Sequence, residues 1–159
     1  GAVEAAYLLE DMNVEIIADG IHLPKALLQF VYKFKGPERT ALCTDAMRGA
    51  GMPEGEYRLG SMQNGQTVIV ENGVAMLSDR SALAGSVATA DRLVRTMINL
   101  AEVPLYDAVM MMTSTPANIL GIQESKGSLA AGMDADIVIF DENINVSRTI
   151  VEGKTIYKI

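Results

Sequence analysis

The sequence predicts an α/β fold in which a parallel sheet is covered by helices, followed by a strand-rich tail. Three observations carry this expectation. Helical and extended stretches alternate from Ala5 to Thr44. The extended stretches are apolar on both faces, as strands sandwiched between helices must be. From Ile137 onward, short apolar runs follow one another with turn signals between them and no helical spacing.

Taken in order, Ala5 to Asp11 (AAYLLED) has helical spacing, and Val14-Glu-Ile-Ile-Ala18 is a short β-branched run ending at Asp19-Gly20. Pro24 to Lys35 (PKALLQFVYKFK) reads as an amphipathic helix. Pro24 suits its first turn, where an N–H is not needed, and Gly36-Pro37 stops it. Thr40 to Thr44 is a second apolar strand, ending in Asp45. Residues 49–80 have a different texture, with Gly51-Met-Pro53, Glu54-Gly55, Asn64-Gly65 and Asn72-Gly73 around extended runs such as Thr67 to Val70. This predicts a hairpin insertion with the two Asn-Gly pairs as its tight turns.

Ser81 to Ser86 is a small-residue loop, and helices are expected over Thr89–Leu100 and Leu105–Met112. A short one from Thr115 ends at Gly121. Met110-Met-Met112 reads as core filler, since Met adapts to irregular gaps. The tail strands are expected at Ile137–Phe140, Val146–Val151 and Thr155–Ile159, with Glu152-Gly153 as a turn. The turn-rich stretch from Gly127 to Asp136 is the expected domain boundary.

Composition narrows the function. With 159 residues, 49% of them hydrophobic and 21% charged, the chain holds one domain's worth of packable core. A formal net charge of −7 argues against nucleic-acid binding, which needs basic patches. No apolar run approaches the ~18 residues of a membrane helix, and the N-terminus lacks the form of a signal peptide. The single cysteine, Cys43, excludes an internal disulfide, fits a reducing cytoplasm and is expected in the core. The single histidine, His22, means that a metal site of several histidines cannot come from this chain alone.

Two strand ends share one pattern: Asp19 and His22 follow the first, and Asp45 follows the second. In a parallel barrel functional groups gather where strands end, and consecutive strands are neighbours, so His22 and Asp45 are expected on one rim. The pattern alone leaves plainer readings open. Asp after a strand is a common turn-former or helix cap, a lone His is often a satisfied surface or core residue, and Asp19-Gly20 reads first as a turn. Ser81–Ser86 could offer backbone N–H groups to an anion, and Ser86 could equally cap the next helix. Asp134, Asp136, Asp141 and Glu142 read as solvated turn charges rather than a carboxylate metal site.

Three segments, Ile17-Ala-Asp-Gly-Ile-His22, Thr44-Asp-Ala46 and Leu83-Ala-Gly-Ser86, resemble the C-terminal half of the N-acetylglucosamine-6-phosphate deacetylases. That family belongs to the amidohydrolase superfamily. Their order matches, as does the insertion between the second and third. Gly127-Ser-Leu-Ala-Ala-Gly-Met-Asp-Ala-Asp-Ile-Val-Ile139 is similar to the superfamily's closing segment. The resemblance spans essentially the whole chain. It implies the C-terminal part of a (β/α)8 TIM barrel over residues 1–126, with the hairpin insertion at 49–80, and C-terminal strands of a small β-sandwich over 127–159.

The resemblance also implies a reaction, deacetylation of N-acetylglucosamine 6-phosphate to glucosamine 6-phosphate and acetate. The family's divalent metal, zinc or iron, activates a water for it. Asp45 matches the catalytic aspartate. His22, with Asp19, Gly20 and Ile21, matches a substrate-contacting loop, and Leu83, Ala84 and Gly85 match a loop lining the sugar site. The family's metal ligands, a glutamate and two histidines, lie on earlier strands, so no metal ligand is expected within this chain. The chain is therefore expected to be a portion of a longer cytoplasmic enzyme, inactive alone, with exposed strand edges that favour self-association. The full-length protein is expected to be a homodimer acting on a small sugar phosphate, with no nucleic-acid or membrane partner. Two alternatives are an amidohydrolase with another amide substrate, against which the Ala18–His22 loop speaks, and a non-enzymatic module that binds a sugar phosphate or a partner chain.

Overall fold

In the computed structural model, which describes residues 1–159, Val14–Ile16 (β1) and Thr40–Leu42 (β2) run parallel, with Val14 opposite Thr40 and Ile16 opposite Leu42. Parallel neighbours cannot be joined by a tight turn, so the chain crosses over through helix Lys25–Lys35 (α2). Pro24 stands just before this helix with extended backbone, and Gly36 ends it at a φ of 69°. Leu28 and Val31 face inward and are buried, whereas Leu27, Phe30 and Phe34 are exposed.

Helix Ala2–Leu8 (α1) has no buried residue. It is held to α2 by the edge-on contact of Tyr7 with Phe30, with ring centroids 4.8 Å apart. The second tie is Lys35, a buried lysine whose ammonium donates to the carbonyls of Ala6 and Leu9, each at 2.9 Å. A cation on the last carbonyls of a helix satisfies groups that have no partner within it and meets the negative end of its dipole. Lys35→Met is expected to cost about 1–3 kcal/mol, the usual worth of hydrogen bonds from a charged group. Denaturant unfolding measures it, and amide exchange should show α1 loosening first.

Helices Ala90–Asn99 (α3), Leu105–Met110 (α4) and Ser114–Leu120 (α5) complete the helical layer. The main core joins Ile16, Ala18 and Leu42 from the sheet region to Leu28, Leu93, Met97, Val103 and Met111. Met111 is fully buried, while Met110 and Met112 are half-buried. Gly121 closes α5 in the left-handed conformation, as its position in the sequence predicts.

The insertion has three strands rather than a simple hairpin. Gly55–Leu59 (β3), Gln66–Glu71 (β4) and Val74–Leu77 (β5) form an antiparallel meander with a core of its own, Met47, Val68, Val70, Ala75 and Ala84. Asn72 and Gly73, at φ of 53° and 71°, make the two-residue turn that their sequence predicts. Asn64-Gly65 instead lies in the longer loop between β3 and β4.

Three tail strands, Ile137–Phe140 (β6), Val146–Val151 (β7) and Lys154–Lys158 (β8), form a separate antiparallel sheet. Its inner loop docks on α3: Ile144 enters the main core, and Arg95 donates to the carbonyls of Asn143 and Ile144 at 3.0 and 2.9 Å. Before β6, Lys126 bridges Asp134 and Asp136 at 2.9 and 2.6 Å, so these turn carboxylates are engaged structurally.

Two expectations are corrected. Cys43 is half-buried rather than in the core, because it lies one residue beyond β2, where the helical cover ends. Ser86 does not cap α3; that place belongs to Thr89. The Ser86 hydroxyl accepts from the Ala88 N–H at 2.8 Å, and its backbone is drawn into a bridge with Ala46.

Candidate active site

Beyond β2 the Cys43 N–H still donates to the Ile16 carbonyl at 2.9 Å, extending the parallel register past the strands. Asp19 and Asp45 follow the paired residues Ile16 and Leu42 at equal distance along the chain, so both loops leave the same end of the sheet. Asp45 is exposed and has a φ of 45°. Few residues enter this left-handed region readily, and Asp is one of them. Its backbone is fixed there. The Ser86 N–H donates to the Asp45 carbonyl and the Met47 N–H to the Ser86 carbonyl, each at 2.8 Å.

This bridge brings the 83–85 loop against Asp45. Gly85 has a φ of 70°, and a side chain placed on it would begin 3.0 Å from the Asp45 carbonyl oxygen and 3.7 Å from its Oδ2. The other two residues of that loop differ in placement. Leu83 is exposed, while Ala84 is buried in the core of the meander and its N–H donates to the Ala75 carbonyl at 3.0 Å. Ala84 anchors the loop; its methyl group faces the insertion.

The 19–22 loop is organised around Asp19, which is almost wholly buried. Its Oδ1 accepts from the N–H groups of Ile21 and His22, both at 2.9 Å, and its Oδ2 meets His22 Nδ1 at 2.9 Å. The turn reading of Asp19 therefore holds, and the turn in question places the histidine. Gly20 provides the positive φ of 80° at its tip, Ile21 is exposed, and the His22 ring is 19% exposed. Arg92 on α3 donates to the Asp19 carbonyl at 3.1 Å, pinning the loop from behind. Nothing in the sequence singled out Arg92, because an arginine on a helix is ordinarily a solvated charge.

Burial pushes the Asp19 carboxyl up, but the backbone N–H groups of His22 and Ile21, with the imidazole, outweigh it and hold it below the usual carboxylate range. A lowered folded value means that the ionised form stabilises the fold above the unfolded value, near 4. That contribution is lost as pH falls through the folded value. Amide exchange at Ile21 and His22 is accordingly expected to accelerate below about pH 4. Asp19→Asn should remove this acid dependence.

No three His, Cys, Asp or Glu side chains converge as a metal site. His22 has committed Nδ1 to Asp19, and Asp45 offers a single carboxylate, so this chain's donor set does not by itself fit a metal. Two clefts of about 320 and 330 Å3 lie away from these loops. One is lined by residues around Leu129 and Met133, the other by Arg48, Tyr57 and Arg58. Neither includes Asp45 or His22, as expected of a rim formed by only two strands. No helix is long and apolar enough to cross a membrane.

The profile of the amidohydrolase family matches residues 2–156. The N-acetylglucosamine-6-phosphate deacetylase of Lysinibacillus sphaericus is 40% identical over 154 residues, which cover 97% of this chain and 38% of that protein. The crystal structure of the deacetylase of the same name from Thermotoga maritima superposes with a TM-score of 0.89 at 31% identity, covering 100% of this chain and 42% of its own. A Mycobacterium smegmatis deacetylase, solved as an Asp-to-Ala mutant in complex with N-acetyl-D-glucosamine-6-phosphate, gives 0.89 at 33% identity, covering 98% and 40%. The predicted α/β fold is thus that of a C-terminal part of these structures, and the chain spans about two fifths of their length. With its profile match running almost from end to end, the chain belongs to the amidohydrolase family.

Proposed function

We propose that this chain supplies the C-terminal part of an enzyme that deacetylates N-acetylglucosamine 6-phosphate. The observation that carries the reading is the meeting of Asp45 with Gly85 at the end of the parallel strands from which the His22 loop also leaves. Motifs far apart in sequence come together as a substrate loop and an acid would need to. Asp45 acts as the acid–base: it takes a proton from the attacking water as the new C–O bond forms on the acetamide carbon. It returns that proton to the nitrogen as the C–N bond breaks, releasing acetate and the free amine. His22 and the exposed parts of the 19–22 and 83–85 loops contact the sugar phosphate.

A divalent metal, zinc or iron, held by residues outside this chain, acidifies the attacking water when bound. The half-buried free thiol of Cys43 supports a cytoplasmic setting. The exposed Leu27, Phe30 and Phe34, and the unpaired edge of β1, support burial against the remainder of the barrel or a second copy.

The experiment is acetate release from N-acetylglucosamine 6-phosphate with a divalent metal present. The chain is assayed alone and after assembly with the N-terminal portion of a deacetylase it resembles. Turnover only in the assembly supports the reading. A stable assembly without turnover would favour a non-enzymatic binding module, and turnover by the chain alone would show that it holds a metal site of its own.

A further inference from the structure

The histidine of this site has one ring nitrogen already engaged, and the partner is chemically unambiguous. An ionised carboxylate only accepts hydrogen bonds. Asp19 Oδ1 is occupied by two backbone N–H groups and Oδ2 by the ring. The ring nitrogen at 2.9 Å from Oδ2 must therefore carry the hydrogen. The carboxylate cannot swing away. It is buried, its own residue's carbonyl is held by Arg92, Ala18 before it is fully buried, and Leu23 after the loop packs on the main core.

We propose that Asp19 is the positioning residue of this site, fixing His22 as its Nδ1–H tautomer so that Nε2 meets the ligand as a lone pair in the neutral ring. The inference rests on the reading of His22 as a substrate contact. It changes the part expected for Asp19: the carboxylate does not touch the sugar phosphate but decides what the histidine offers it. A bare Nε2 recognises a hydrogen-bond donor, such as a sugar hydroxyl or an amide N–H, and gives nothing to a carbonyl oxygen. When the ring gains a proton, it arrives at Nε2, the only open nitrogen. The site then offers a donor aimed in the same direction, suited to an anionic oxygen.

Asp19→Asn should invert the arrangement. The amide oxygen can keep the two backbone N–H groups, which leaves the NH2 facing the ring. That group donates, so Nδ1 must become the acceptor and Nε2 must take the hydrogen.

His22 is the only histidine, so ring-nitrogen NMR of the 159-residue chain reads its tautomer without assignment ambiguity. At about pH 9, well above the usual imidazole range, the Nδ1–H form is expected to dominate. Asp19→Asn should move the tautomer ratio by about tenfold or more toward Nε2–H, the scale of a hydrogen bond to a charged partner. A wild-type ring that is mainly Nε2–H overturns the proposal without any variant, and so does a ratio unmoved by a folded Asp19→Asn. In the assembled enzyme, Asp19→Asn is expected to raise KM about tenfold while kcat changes less. An unmoved KM overturns the link to substrate. Absence of turnover in the wild-type assembly would instead overturn the deacetylase reading and leave the tautomer result as it stands.

Discussion

In the assembled enzyme, Asp45→Asn is expected to lower deacetylation by about a hundred- to ten-thousand-fold, the range that a positioned general acid–base contributes. The substitution isolates the proton transfer. Asn tolerates the left-handed backbone at least as well as Asp, so the φ of 45° survives. The bond that ties this residue to the next loop uses its backbone carbonyl, which receives the Ser86 N–H, so the ladder survives as well. The amide can still accept hydrogen bonds but can neither take up nor return a proton at neutral pH. Acetate release is the readout, and unfolding curves should superpose on those of the parent. A loss smaller than about tenfold would remove Asp45 from the acid–base role.

How much of this was legible in the sequence differs by element. The β1–α2–β2 unit was legible because its strands are short extended runs and because Pro24 and Gly36 mark the ends of the crossover helix. The expectation that both strands are buried on both faces holds for β2 alone, since Glu15 of β1 is exposed. The turn at Asn72-Gly73 was legible because its backbone geometry excludes most other residues. Strand β3 was not, since three of its five residues are exposed and its apolar alternation is confined to Tyr57 and Leu59. Ser86 misled for a related reason. A serine ahead of a helix looks like a cap, but a backbone bridge to a segment some forty residues away claimed it instead. Local propensity cannot see such a partner.

The candidate site shows the same division. Each strand-end residue could be picked out from pattern, yet pattern alone favoured the plainer turn or surface reading. Only the resemblance joined Asp45 to the 83–85 loop, because hydrophobic spacing says nothing about which loops meet. Asp19 shows why the turn-or-site choice was not a real one. The two oxygens of one carboxylate serve different ends, Oδ1 closing the turn and Oδ2 holding the imidazole.

The contact between Gly85 and Asp45 gives a second large effect and carries its own control. Gly85 and Gly36 both have positive φ, 70° and 69°, so replacing either by Ala strains the backbone, by about 1–3 kcal/mol. Their surroundings differ. Nothing lies within 4 Å of a Cβ on Gly36, whereas one on Gly85 meets the Asp45 carbonyl oxygen at 3.0 Å, with the Met47 Cβ at 3.4 Å. In Gly85→Ala this contact is therefore expected to add about 1–3 kcal/mol to the backbone strain, the cost of overfilling a packed site. Denaturant unfolding of Gly85→Ala measures the sum. If the loss is no larger than the roughly 1 kcal/mol of the smallest strain alone, the 83–85 loop yields, and its hold on Asp45 is weaker than the bridge implies. Yielding has a consequence that activity would show. Whatever the added methyl group displaces, it moves the loop and the carboxylate apart, and a shift of about 1 Å at a reacting group can cost a hundredfold in rate. Gly36, on the far side of α2 from the strand ends, should leave turnover unchanged. A Gly85→Ala enzyme that retained full activity would mean that Asp45 is placed by its own strand alone.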